Sequence, residues 1–198
     1  MSDKNSKEGI VLTMDMRDIL VERLLGTNRR MRQNAAHMLA QASKTDIDYI
    51  APVADALIDA LSSPEAQTRW ECLDMLSDIA KVAPQKVLEA YSGAEDALFD
   101  DMSASVRLAA FRFLCRYGTI SPDCADRTWP LINEAIQCYH GDPEYREMLV
   151  SLKVFAQGDL NDEVKAALIE RMNYDMKNSR GFIRAYSTDI CSIVQGKA

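Results

Sequence analysis

The chain has 198 residues, 47% hydrophobic and 27% charged, which suits one domain or an elongated array with a continuous core. No run approaches the roughly 20 apolar residues that cross a bilayer, and the polar start Met1–Glu8 lacks the apolar core of a secretory signal. A net charge of −7 disfavours nucleic-acid binding, which relies on a basic face, and fits a cytoplasmic protein partner or a basic ligand.

In chain order, residues 1–12 read as a flexible tail and 13–198 as a single domain. A helix is predicted over 14–25, ending at Gly26, and a second over 28–42. The next helix, 46–61, carries Pro52, which should start or kink it. Ser63-Pro64 reads as an N-cap followed by proline at the first helical position, opening a helix over 64–82. Helices over 84–99 and 103–117 flank the Asp100-Asp101 turn. Ser121-Pro122 opens 122–140, which contains Pro130, and Asp142-Pro143 opens 143–157 by the same logic as Ser63-Pro64. Asn161-Asp162-Glu163 begins a helix over 160–177, Asn178-Ser179 marks a turn, and a last helix covers 180–195. No alternating apolar run is long enough to argue for a strand.

The ten helices form five pairs with a repeating signature. Arg32, Arg69, Arg107, Arg146 and Arg184 recur at spacings of 37, 38, 39 and 38. Three residues after each stand Ala35, Cys72, Ala110, Leu149 and Ser187, and six after stand Met38, Met75, Phe113, Leu152 and Ile190. Offsets of −1, +3, +6 and +10 lie on one face of a 3.6-residue helix, so each arginine begins an amphipathic helix whose inner stripe recurs five times. One pair cannot cover its own apolar stripe, whereas stacked pairs cover each other.

The run from Asp101 through Val106-Arg107 to Ala110 resembles the signature of the HEAT-repeat family: a turn aspartate, a hydrophobe–arginine pair, and a small residue three later. The resemblance implies an all-α fold, a right-handed α-α superhelix of about five HEAT-like helix pairs over roughly 14–195. It also implies ladders of arginine and aspartate between neighbouring repeats. Only the third repeat has an aspartate six before its arginine, so the expected ladder is partial. The family defines an architecture and carries no activity with it.

In such solenoids the second helices line the concave surface, which directs attention to offsets −2, +1, +5 and +9. Repeat 1 offers Arg30, Gln33, His37 and Gln41; repeat 4 offers Glu144, Glu147, Ser151 and Phe155. Trp70 and Leu108 share offset +1 in neighbouring repeats and have the composition of a binding hot spot, with Asp74 and Asp78 on one side and Arg112 and Arg116 on the other. The bland alternative packs Trp70 into the groove between repeats. Arg29, Arg30 and Arg32 form the most basic local run. His37 is set one repeat away from Asp74, and His140 closes a helix in a capping position.

No phosphate loop, dinucleotide fingerprint, nucleophile elbow or zinc motif is present, and neither catalytic residues nor a cofactor are expected. The five cysteines make no C-x-x-C pair and sit beside apolar residues, as small core residues in a reducing compartment do. The leading expectation is a non-catalytic scaffold that binds a protein segment on its concave face. The alternative is a DNA-binding protein of the HEAT-like alkylpurine DNA glycosylase type. The apolar end Ile190–Val194 suggests weak self-association through the last repeat unless a bend of the chain covers it.

Overall fold

The computed structural model describes residues 13–196, and every regular element among them is helical. The expected tail at 1–12 lies outside the described residues. The first pair is α1 (Met14–Leu24) and α2 (Arg29–Ser43). In the second, α3 (Ile47–Ile50) and α4 (Ala54–Asp59) together face α5 (Ala66–Val82). The remaining pairs are α6 (Tyr91–Leu98) with α7 (Ala104–Tyr117), α8 (Pro122–Cys138) with α9 (Tyr145–Ala156), and α10 (Asp162–Asn178) with α11 (Gly181–Val194). The second helices stack in one row: α2 on α5, α5 on α7, α7 on α9, α9 on α11. No helix among the described residues is long and apolar enough to cross a membrane.

The two prolines act differently. Pro52 falls in a 3-10 turn, Ala51–Val53, which splits the expected 46–61 helix into α3 and α4, since proline has no N–H for the preceding turn. Pro130 lies inside α8 without ending it, on the helix's exposed side, away from the core. The expected 84–99 helix opens as a 3-10 segment, Pro84–Ala90, before α6.

Asn28, Ser103, Ser121 and Asn161 each stand at an N-cap and accept a backbone N–H through their side chains. Ser121-Pro122 opens α8 as expected, whereas the starts at Pro64 and Pro143 come later than expected. Glu65 and Glu144, each following the proline, hold the N-cap positions of α5 and α9 without a side-chain capping bond. Their carboxylates are engaged by the arginine of the preceding repeat.

Those arginines build the ladder. Arg32 donates to Gly26 O (2.9 Å) and to both oxygens of Glu65 (3.1 and 2.5 Å). Arg69 donates to Asp100 Oδ2 (2.7 Å), and Arg107 to Asp100 O (2.8 Å) and Glu144 Oε1 (2.7 Å). The signature aspartate, Asp101, is exposed, and its neighbour Asp100 takes the arginine instead. The fourth junction uses different chemistry. Asp175, 2% exposed, accepts the Tyr145 hydroxyl (2.8 Å), and its other oxygen lies 2.8 Å from His140 Nε2. His140 therefore ties the turn after α8 to α10, where a helix-capping role was expected. Arg146 lies over the ring of Phe182, 5.3 Å from its centre.

The buried apolar side chains form one cluster running from Leu20 to Cys191. All five residues at offset +3 are buried, which is what joins pair to pair. Met31, at offset −1 of the first repeat, is 51% exposed, unlike Thr68 and Val106 at the same offset, which are fully buried. At the other end Ile190 and Cys191 are buried under α9 and α10, and Ile193 and Val194 pack on the core. Ile193 and Val194 remain partly exposed at the end of α11.

Candidate partner-binding groove

Counting from Arg107, a step of 38 residues lands on Tyr145, not on Arg146. Tyr145 also carries the inter-repeat bond, so the fourth repeat is in register on the tyrosine. Offsets +5 and +9 then become Asp74 and Asp78 in repeat 2, Arg112 and Arg116 in repeat 3, and Val150 and Val154 in repeat 4. These six residues line one groove of about 340 Å³ on the face of the second helices, together with Ser77, Ser151 and two lysines at offset +12, Lys44 and Lys81. A +5/+9 pair is one helical turn apart, so stacked second helices present parallel two-residue rows to the same trough.

The charges of the groove are partly spent on one another. Arg112 Nη1 reaches Asp74 Oδ1 across the repeat boundary (3.2 Å), and Lys81 Nζ reaches Asp78 Oδ1 within α5 (2.6 Å). Partial burial pushes the Asp74 carboxyl above its ordinary value and Asp78 adds to that, while Arg112 and Lys44 hold it down. Among the described residues, Lys44 and Arg116 have no carboxylate within ion-pair distance. Val150, 38% exposed, and Val154 supply an apolar wall from α9.

Of the residues singled out from sequence, the groove brings together Asp74, Arg112 and Arg116. Trp70 and Leu108 are half-buried and pack against the core, outside the groove lining. His37 is exposed, and its Nδ1 lies 2.9 Å from Glu71 Oε1 rather than beside Asp74. Arg30 is exposed at the start of α2, away from the groove. Phe155, expected to face outward, is fully buried with its ring stacked on Trp129, centroids 6.1 Å apart, and Ser151 is 8% exposed. Sequence reasoning places the fourth repeat on Arg146 and so misses Val150 and Val154; with Tyr145 the spacings are 37, 38, 38 and 39 against 37, 38, 39 and 38, so the period does not choose between the two registers.

Two other cavities are less suited to a partner. One, near α6 and α8, is occupied at its rim by Arg127 stacked 3.6 Å over the Tyr91 ring, whose hydroxyl already donates to Arg127 O. The other, about 190 Å³, is lined by the His140, Tyr145 and Asp175 junction, whose polar atoms hold repeats 4 and 5 together.

No protein-family model matches the chain, and no curated protein matches it in sequence. Solved structures do match in shape. A designed armadillo repeat protein in complex with the peptide (KR)4 superimposes with a TM-score of 0.74 at 16% identity, over 91% of this chain and 82% of that one. An engineered protein gives 0.73 at 16% identity over 93% and 81%. Kap121p bound to Nup53p gives 0.66 at 13% identity over 91% of this chain, which spans 19% of that one. In fold, this chain is an α-solenoid of the armadillo/HEAT type.

Proposed function

We propose that the chain is a non-catalytic protein-binding scaffold that holds a segment of a partner in the groove between α5, α7 and α9. The observation that carries this reading is the groove itself: three successive repeats contribute their +5 and +9 side chains to one trough, with a polar part and an aliphatic wall. Binding sites of this kind pair a desolvated apolar anchor with a polar rim. Support also comes from solved structures of the same fold, a designed armadillo repeat protein in complex with a peptide and Kap121p bound to Pho4p.

The test is site-specific photocrosslinking in native extract. A photoreactive residue replaces Val150 in the groove, and a control replaces the exposed Glu170 on α10. Protein adducts formed from position 150 and not from 170 are the expected result. Equal labelling from both positions, or adducts with nucleic acid from position 150, would overturn the reading, and the latter would favour the DNA-repair alternative.

A further inference from the structure

The groove does not share the charge of the chain around it. The chain is −7 overall, yet four cations, Lys44, Lys81, Arg112 and Arg116, face only two carboxylates, Asp74 and Asp78. Both carboxylates are already paired, with Arg112 and Lys81. What is left over is positive charge at Lys44 and Arg116, next to the aliphatic pair Val150 and Val154.

We infer that the occupant of this groove is an acidic, aliphatic-bearing segment of a partner protein. The inference rests on the scaffold reading and specifies the chemistry of the partner. Carboxylates of the segment meet Arg116 and Lys44, and a leucine- or valine-type side chain lies on Val150 and Val154. Arg116 is the better of the two anchors, since a guanidinium takes a carboxylate by two parallel hydrogen bonds. The overall negative charge does not forbid this. Screening reduces exposed charges beyond about 8 Å at physiological ionic strength, so a segment inside the groove responds to the groove's own charges. The acidic remainder of the surface opposes association only at long range and repels acidic segments that miss the groove, which gives specificity. The composition-based expectation of a basic ligand is reversed at this site. The designed repeat protein of similar fold binds a peptide of the opposite charge, (KR)4, so the fold alone does not set the sign.

The experiment uses the full chain and three pools of short fluorescent peptides, each carrying leucine and valine, with acidic, basic or uncharged residues between them. A duplex DNA of similar length serves as a fourth probe. Fluorescence anisotropy is read at low and at physiological salt. The acidic pool is expected to bind tightest, to lose about tenfold in affinity with Arg116→Glu, and to lose a similar factor with Lys44→Glu. Both residues are solvent-accessible, so the variants keep their helicity by circular dichroism, and Arg116→Gln gives a milder version of the same loss. If the basic or uncharged pool binds tighter, and that binding disappears with Val150→Asp, the acidic assignment is wrong while the scaffold reading stands. Tighter binding of DNA than of the acidic pool, or no binding of the acidic pool at low salt, also overturns the inference. The photocrosslink from position 150 decides the scaffold reading independently.

Discussion

Glu144 stands at the N-cap of α9 but gives its carboxylate to Arg107, one repeat back, at 2.7 Å. Glu65 does the same for Arg32, so two helix starts give up a side-chain cap to tie repeats together. The ladder acids titrate low. The Arg32 hydrogen bond holds Glu65 below the usual carboxylate range. Burial pushes Asp100 and Glu144 up, but Arg69 with the Met102 N–H, and Arg107 with the backbone at Glu144, outweigh it.

Acid should therefore loosen the array through these rungs. Each carboxyl binds its proton less readily in the folded chain than in the unfolded one, where values are about 3.9 to 4.3. The stabilisation is fully present above that range and is lost as pH falls through the lower folded values. Thermal unfolding as a function of pH should show a midpoint that drops below about pH 4. The triple variant Glu65→Gln, Asp100→Asn, Glu144→Gln should be less stable at neutral pH and less sensitive to acid. Two parallel curves would mean that the rungs do not carry the acid response. Asp74 works in the opposite direction, because burial raises its folded value.

The fourth junction predicts a different loss. Tyr145 is 1% exposed and donates to Asp175, itself 2% exposed. Burial and then the adjacent carboxylate push the Tyr145 hydroxyl far above its usual range, so it remains a neutral donor. Tyr145→Phe keeps the ring and removes the donor, leaving a buried carboxylate short of a partner, and should cost about 1–3 kcal/mol in urea unfolding. A change indistinguishable from zero would show that water replaces the hydroxyl.

The architecture was legible in sequence because offset +3 stays small or apolar in all five repeats, and all five of those residues are buried. The ladder was legible only from its arginine side. Its carboxylates lie four residues before Arg69, seven before Arg107 and two before Arg146, so no fixed spacing reveals them. The groove was half legible. Asp74, Arg112 and Arg116 follow from the first three repeats, but Arg146 next to Tyr145 offered two possible registers, and only packing separates them. Capping was misread at Pro64 and Pro143 for a related reason: the competing partner of each glutamate comes from another repeat, and a local rule does not see it.

Gly118 measures how tightly α7 meets the next pair. Its backbone is ordinary for any residue, with φ of −61°, so conformational freedom does not explain it. A β-carbon there would stand 2.7 Å from Phe155 Cδ2 and 2.8 Å from Thr128 Oγ1. Phe155 is stacked on Trp129 and Thr128 bonds back to Cys124 O, so neither yields freely. Gly118→Ala should destabilise by about 1–3 kcal/mol, although alanine is the better helix former. A stabilised variant would mean that the α8–α9 pair slides on α7 at little cost.

Trp70 and Leu108 separate packing from binding. Composition marks them as a hot spot, whereas both rest half-buried against the core and outside the groove lining. If they hold the repeats together, Trp70→Ala and Leu108→Ala should each cost about 1–3 kcal/mol in unfolding, since each removes partly buried apolar surface and leaves a defect. The photocrosslink from position 150 should then keep its yield well below the unfolding temperature. The opposite pattern, unchanged stability with loss of the adduct, would move the partner from the Val150 wall to the Trp70–Leu108 stripe. Both stripes lie on the same row of second helices, one at offset +1 and the other at +5 and +9, so the two outcomes amount to a shift of the bound segment by one or two turns along those helices.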